Sequence, residues 1–290
     1  LNSRGVPHVL ISTGASEFGK EYRKYPWTIG WQPDYVAEGR LYGTDIRNNR
    51  PNAKIAILYQ NDSYGRDYLN GFKAALGTAK VRTQVVREEA FDVLGGGTPQ
   101  SQLIRLRASG ADTLMIFVTP TPTIQTYAII RALNWKPEQI YVNSVSATDT
   151  FMGVAVARSS AATVNGSISA AYLKDPASPG FANDPTVRLY QRLMAKYNPS
   201  GRVTDGLNFY GFAKADTFVR AMYKAGKNPT RAGLMKALLS FNETSPFLLP
   251  SGRLKTSATD HFIISQQQMQ RFNNGSWTLI GRLVDGRPRG

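Results

Sequence analysis

The sequence predicts an α/β protein organised around a parallel sheet. From Lys54 onward, apolar runs alternate regularly with segments of helical period, the order produced by strands joined through crossover helices. The runs are continuous, not alternating with polar residues, as befits strands covered by helices on both faces. Helix starts are also marked: Thr98 followed by Pro99 is a capping residue with proline at the first helical position.

The first fifty residues read as a strand at 6–11, a helix near 17–25, the aromatic strand "WTIGW" and a helix over 35–48. One strand flanked by helices cannot make a sheet, so this opening needs partners from elsewhere. Strands follow at 55–59, 85–88 (the weakest), 113–118, 140–142 and 164–169. Between them, Tyr64, Tyr68, Phe72, Ala75 and Leu76 share one helical face, Ile124, Tyr127, Ala128 and Arg131 another, and the helix after Pro99 carries Leu103, Ile104 and Leu106. Beyond Lys174 comes the loop-like "DPASPGFANDP". Three helices without strands follow, the first on Val187, Tyr190, Leu193, Met194 and Tyr197, then 207–225 and 231–239. The end is hairpin-like, with Asn274-Gly275 as the turn between "MQRF" and "WTLIG".

Composition narrows the function. With 290 residues, 42% hydrophobic and 19% charged, the chain is globular. No apolar run reaches the roughly eighteen residues of a membrane span. The net charge of +15 invites a test against nucleic acid, but the basic residues are scattered. The densest cluster is the tail Arg282, Arg287 and Arg289, and no helix shows a basic stripe interleaved with aromatics, so a basic solvated surface is expected. Zero cysteines exclude disulfides, thiolate metal sites and cysteine nucleophiles. The two histidines, His8 and His261, sit in or beside apolar strands, and G-x-S-x-G and H-E-x-x-H are both absent. Gly95-Gly96-Gly97-Thr98 fits neither phosphate-loop pattern and reads as a flexible loop. Glu88, Glu89 and Asp45 read as surface charge; a paired-carboxylate enzyme is left open, though no residue singles one out. No catalytic residue, metal or cofactor is expected.

What remains is a set of strand carboxyl ends rich in small hydroxyl and aromatic residues. They are Ser12-Thr13-Gly14-Ala15-Ser16, the stretch 60–65, Thr119-Pro120-Thr121 and Asn143-Ser144-Val145-Ser146. Ligands of open parallel sheets bind at such ends, where helix N-termini favour anions. Ser16 would cap the following helix and meet an anion at the same terminus.

The motif order resembles a known family. "VPHVLISTGAS", "KIAILYQNDSYGRDYLNGFKAAL", "LRASGADTLMIF" and "TDGLNFYGFAKADTFVRAM" are similar to the type I periplasmic substrate-binding proteins of branched-chain amino-acid (Leu/Ile/Val) ABC transporters. The resemblance implies two Rossmann-like lobes with the ligand held in the cleft by hinge closure. It places 1–50 in lobe 1, 51–171 in lobe 2, 172–245 back in lobe 1, and 246–290 in lobe 2 again. It also implies that this stretch lacks the signal peptide and the N-terminal segment that forms most of lobe 1. By the same resemblance, Ser12, Gly14, Ala15 and Ser16 grip the ligand carboxylate and ammonium, Tyr64 reaches the ligand from lobe 2, Thr119 and Thr121 lie on the loop after the G-A-D strand, and Tyr210 starts the lobe 1 helix. Ser144 and Ser146 belong to the last strand end. One departure stands out. Amino-acid binders carry an acid after that strand for the α-ammonium, but the position here falls on Ser144 or Val145, and no carboxylate occurs before Asp149. A buried, unpaired ammonium is costly, which turns the expectation towards a small organic or aromatic acid. The expected protein is a monomeric, non-enzymatic periplasmic receptor that hands a carboxylate ligand to an ABC permease and binds no nucleic acid. The alternative is a ligand-sensing domain of the same fold.

Overall fold

The computed structural model describes residues 1–287. Residues 288–290, including Arg289 of the basic tail and the end of the expected C-terminal segment, lie outside the described residues. The chain forms two compact units. Unit 1 collects Leu1–Asp34, Tyr172–Gln267 and the stretch from Leu283; unit 2 is Tyr35–Ala171 with Gln268–Arg282.

Unit 2 holds the parallel sheet. Its strands are β3 (Ile55–Gln60), β4 (Val85–Phe91), β5 (Thr113–Phe117), β6 (Gln139–Val142) and β7 (Ile168–Ala171). β10 (Gln266–Asn273) and β11 (Ser276–Asp285) complete the order β11-β10-β7-β6-β5-β3-β4, with β10 antiparallel to β7. Ile55 pairs with Thr113, and Met115 with Tyr141. Leu58, Ile116 and Val142 are fully buried, which is why the sequence shows unbroken apolar runs here. Asn274 and Gly275 both take positive φ, 51° and 83°, in the turn joining β10 to β11.

The helices of unit 2 are α2 (Tyr35–Asn49), α3 (Ser63–Leu76), α4 (Thr78–Gln84), α5 (Gln100–Ala108), α6 (Pro120–Ala132), α7 (Asp149–Arg158) and α8 (Ala161–Val164). Asp62 caps α3 by accepting from Gly65 N, and Thr148 caps α7 by accepting from Phe151 N. α2 packs on α3 along a glycine seam. A Cβ on Gly39 would lie 2.3 Å from Tyr68 O, and one on Gly43 would lie 2.4 Å from Phe72 O. This seam places α2 in unit 2, whereas the sequence reading grouped residues up to 50 with lobe 1. The expected strand at 164–169 is displaced: Ser160 caps α8 and Gly166 turns the chain at φ 86°, so β7 begins only at Ile168.

Unit 1 contains β1 (His8–Ile11) and β2 (Thr28–Gly30), paired in parallel, with α1 (Glu17–Lys20) between them. The expected helix at 17–25 is therefore much shorter. α9 (Pro185–Tyr197), α10 (Gly206–Ala225) and α11 (Arg231–Leu238) follow, then an antiparallel pair, β8 (Asn242–Thr244) and β9 (Arg253–Lys255), which the sequence did not signal. Asp184, Asp205 and Thr230 cap the three helices. The core joins Leu10, Ile29 and Trp31 to Val187, Tyr190, Phe209, Leu238, Phe241 and Ile263. Gly30 bridges Phe262, so close that a Cβ on Gly30 would meet that ring at 2.7 Å. Residues 246–267 thus pack in unit 1, and only Gln268–Arg282 joins unit 2, later than the boundary at 245 read from the sequence. No described helix is long and apolar enough to cross a membrane.

Candidate functional site

In unit 1 the turn 12–16 leaves the end of β1. Leu10 holds φ at 55°, a region that bulky side chains rarely enter, and the β1–β2 register shifts between His8 and Ile11. The chain is thereby turned out of the sheet into Ser12. Ser12 is exposed, while Gly14 and Ala15 are buried. Ala15 N donates to Thr13 Oγ1 at 3.2 Å. Ser16 takes helical dihedrals and makes no side-chain cap bond; its carbonyl accepts from Lys20 N at 2.8 Å. The cap expected of Ser16 is absent because α1 is a single turn, and so short a helix contributes little dipole at its start.

Two residues of α10 complete this region. Tyr210 OH donates to Gln32 Oε1 at 3.1 Å, and its ring meets Trp31 edge-on at 4.7 Å. Trp31 is itself fixed by Nε1 donating to Thr217 Oγ1 at 3.0 Å. One turn on from Tyr210, Lys214 Nζ donates to Ser12 Oγ at 2.7 Å. Burial pulls the Lys214 amine below the ordinary lysine range. Lys214 was not among the residues singled out in the sequence, although its spacing from Tyr210 places both on one helix face.

In unit 2 the strand ends form a hydrogen-bonded floor. Tyr64 OH donates to Asn143 Oδ1 at 2.6 Å, and Asn143 Nδ2 donates to the carbonyls of Ile116 and Val118 at 3.1 and 2.7 Å. Ser146 is fully buried; its N–H goes to Asn143 Oδ1 and its hydroxyl to Val118 O. Thr119 donates its hydroxyl to Gln60 Oε1 at 2.9 Å, tying the ends of β5 and β3 together, while Thr121 is exposed at the start of α6. Tyr64, Tyr35, Tyr68 and Phe117 form an aromatic stack with centroids 4.7 to 5.3 Å apart. Burial, the nearby Tyr35 and the Glu38 charge raise the Tyr64 hydroxyl well above the usual tyrosine range.

A buried acid from another element stands beside the end of β6. Glu38 of α2 is buried, and its carboxylate accepts from Ser144 N at 2.7 Å, Ser144 Oγ at 2.6 Å and Tyr42 OH at 2.7 Å. Ser144 therefore spends both its donors on Glu38. Asn143, Gln60 and Glu38 act here as supports that the motif reading did not assign. His261 is buried with Nδ1 2.8 Å from Thr28 O, an ordinary structural bond. No cluster of three metal-ligating side chains occurs among the described residues.

The family model described as periplasmic binding protein matches residues 1–276. The chain belongs to the periplasmic binding protein family. That family consists of substrate-binding receptors. Among solved structures, this periplasmic binding protein is similar to a branched-chain amino acid ABC transporter protein from Thermus thermophilus with bound valine, at 14% identity and TM-score 0.79, covering 98% of this chain and 73% of that one. A substrate-binding periplasmic protein from Ralstonia solanacearum is 19% identical with TM-score 0.77, over 94% and 73% of the two chains. A leucine-binding protein from Thermotoga maritima is 15% identical with TM-score 0.72, over 98% and 74%. At these identities the likeness is one of fold. No curated protein sequence matches the chain.

Proposed function

We propose that this chain is the periplasmic, non-enzymatic receptor of an ABC importer, taking a small carboxylate and delivering it to the permease. The observation that carries this reading is the turn at the end of β1. Its side chains are small, and the exposed Ser12 and the Lys214 ammonium stand together at its mouth. Ser12, Gly14, Ala15, Ser16 and Tyr210 then receive the carboxylate. Tyr64, Thr119, Thr121, Ser144 and Ser146 serve as ligand-facing or supporting groups of the strand ends. Two of these are supports first, because Ser146 and Ser144 already use their hydroxyls within the protein.

A second reading has its own observation. Glu38 sets a buried carboxylate against Ser144, which would suit the ammonium of an amino acid such as the valine of the Thermus structure. A thermal-shift screen against benzoate, butyrate, L-valine, L-leucine and uncharged sugars tests both. At a hundred times Kd a ligand adds about 2.7 kcal/mol of stability, a shift of several degrees. Stabilisation by acids alone supports the leading reading, and stabilisation by L-valine alone supports the second. A response only to sugars, or turnover of any hit, overturns both.

A further inference from the structure

A half-buried amine in unit 1, Lys214, stands without a counter-charge among the described residues. Several other partly buried cations are paired with acids: Lys174 with Asp184, Lys73 with Glu88, Lys20 with Asp260, and Arg220 with Asp216 and Glu243. Lys214 is half-buried in the middle of α10, and its contacts are the Ser12 hydroxyl at 2.7 Å and the Tyr210 ring, whose centroid is 5.5 Å away. Among the described residues no carboxylate pairs with it, and burial lowers its proton affinity. Withdrawing an ammonium from water without an anion is unfavourable, so the site is arranged for an anion that arrives from outside.

The hydrogen-bond geometry says how it would be held. Ser12 Oγ accepts from Lys214, which leaves the serine O–H as a donor directed elsewhere. Nζ keeps two further N–H groups. An ammonium and a hydroxyl 2.7 Å apart offer two donors to the two oxygens of one carboxylate, and charge-assisted bonds of this kind are about twice as strong as neutral ones. The Tyr210 ring, held by Gln32 and Trp31, gives the ammonium a fixed aromatic wall.

We propose that Lys214, acting with Ser12, is the residue that binds the ligand's carboxylate, and that the preferred ligand is a net-anionic monocarboxylate and not a zwitterion. A zwitterion brings its own ammonium and would leave this end of the site with an uncompensated positive charge. This inference rests on the carboxylate-receptor reading above and deepens it.

The test is isothermal titration of sodium benzoate, its neutral isostere benzamide, and L-valine into the whole protein and its Lys214→Gln and Lys214→Arg variants. Circular dichroism melting checks that each variant is folded. The expected result is benzoate binding at least about tenfold weaker in Lys214→Gln, kept within a few-fold in Lys214→Arg, and weakened by added salt in the wild type more than in Lys214→Gln. Benzamide should bind poorly to all three proteins. Equal benzoate affinity in wild type and Lys214→Gln overturns the role of Lys214 while leaving the carboxylate receptor standing. Wild-type protein that binds L-valine but not benzoate overturns the net-anionic preference. If neither acid binds, the receptor reading fails and this inference fails with it.

Discussion

Glu38→Ala removes the acceptor of three short hydrogen bonds at the end of β6, and the consequences for the three donors differ. Tyr42 OH has a second acceptor 3.1 Å away, the carbonyl of Val142, so it loses little. The Ser144 hydroxyl is half-exposed and can turn to water. The Ser144 N–H is fixed in the backbone and loses its part-buried acceptor; stranding such a donor costs about 1 to 3 kcal/mol. The void left by the acid's methylenes adds about 1 kcal/mol, while relief from burying a charge offsets part of this. The net expectation is a loss of about 2 to 4 kcal/mol. Glu38→Gln keeps one carbonyl oxygen for Ser144 N and Tyr42 and offers its amide to the Ser144 oxygen, so it should cost only about 1 kcal/mol. Urea denaturation at neutral pH measures both, with the change confined to the midpoint and the slope unaltered. Glu38→Ala within about 0.5 kcal/mol of wild type, or Glu38→Gln as damaging as Glu38→Ala, would refute the assigned bonding. The same variants report on ligand choice: loss of L-valine binding in Glu38→Gln with benzoate binding intact would make Glu38 the ammonium's partner.

Two other perturbations bear on the framework. Gly39→Ala drives a methyl to within 2.3 Å of Tyr68 O across the α2–α3 seam and should lower stability by about 3 kcal/mol, whereas Gly95→Ala, with nothing nearer than 3.7 Å, should be nearly neutral; thermal melting of the two variants compares them. Asp184 caps α9 and pairs with Lys174 at 2.6 Å. Burial raises its carboxyl pKa, but Lys174 and the Val187 and Thr186 N–H groups outweigh that and hold it below the usual range. A lowered acid contributes stability that is present above its unfolded value of about 3.9 and is lost as pH falls through the folded value. Asp184→Asn keeps a capping oxygen yet strands Lys174, so it should cost about 1 to 3 kcal/mol at pH 7 and flatten the loss of stability below about pH 4. A denaturation series from pH 2 to 7 checks the sign, and an unchanged acid limb would count against the pairing.

The parallel sheet was legible because its strands are apolar on both faces, but the cap expected of Thr98 is absent: α5 begins at Gln100, with Pro99 at the capping position and no side-chain cap bond. Tyr64 could be placed at a strand end because Asn61-Asp62 interrupts β3 just before it. The supports of the site were hidden for a physical reason. Ser144 meets Glu38 across 106 residues of sequence, and Lys214 meets Ser12 across 202. Neither pair forms a local pattern, since hydroxyl and charge are common on solvated surfaces. The glycines of the α2–α3 seam were visible as letters, but their role depends on how closely two backbones approach. The three-residue strands β8 and β9 are too short to show a period.

Unit 2 completes five parallel strands within one unbroken stretch, residues 35–171, whereas unit 1 draws Leu10 and Ile29 into a core with Phe241, Ile263 and Ile264 from the far end of the chain. On a chain made from its N-terminus, the middle can therefore fold while the beginning waits. Until residues 241–264 arrive, the core around β1, β2 and α10 lacks part of its cover, and such late, long-range closure is slow. The turn at Ser12 is then one of the last parts of the molecule to reach its final shape, and that interval is when aggregation competes most strongly with folding.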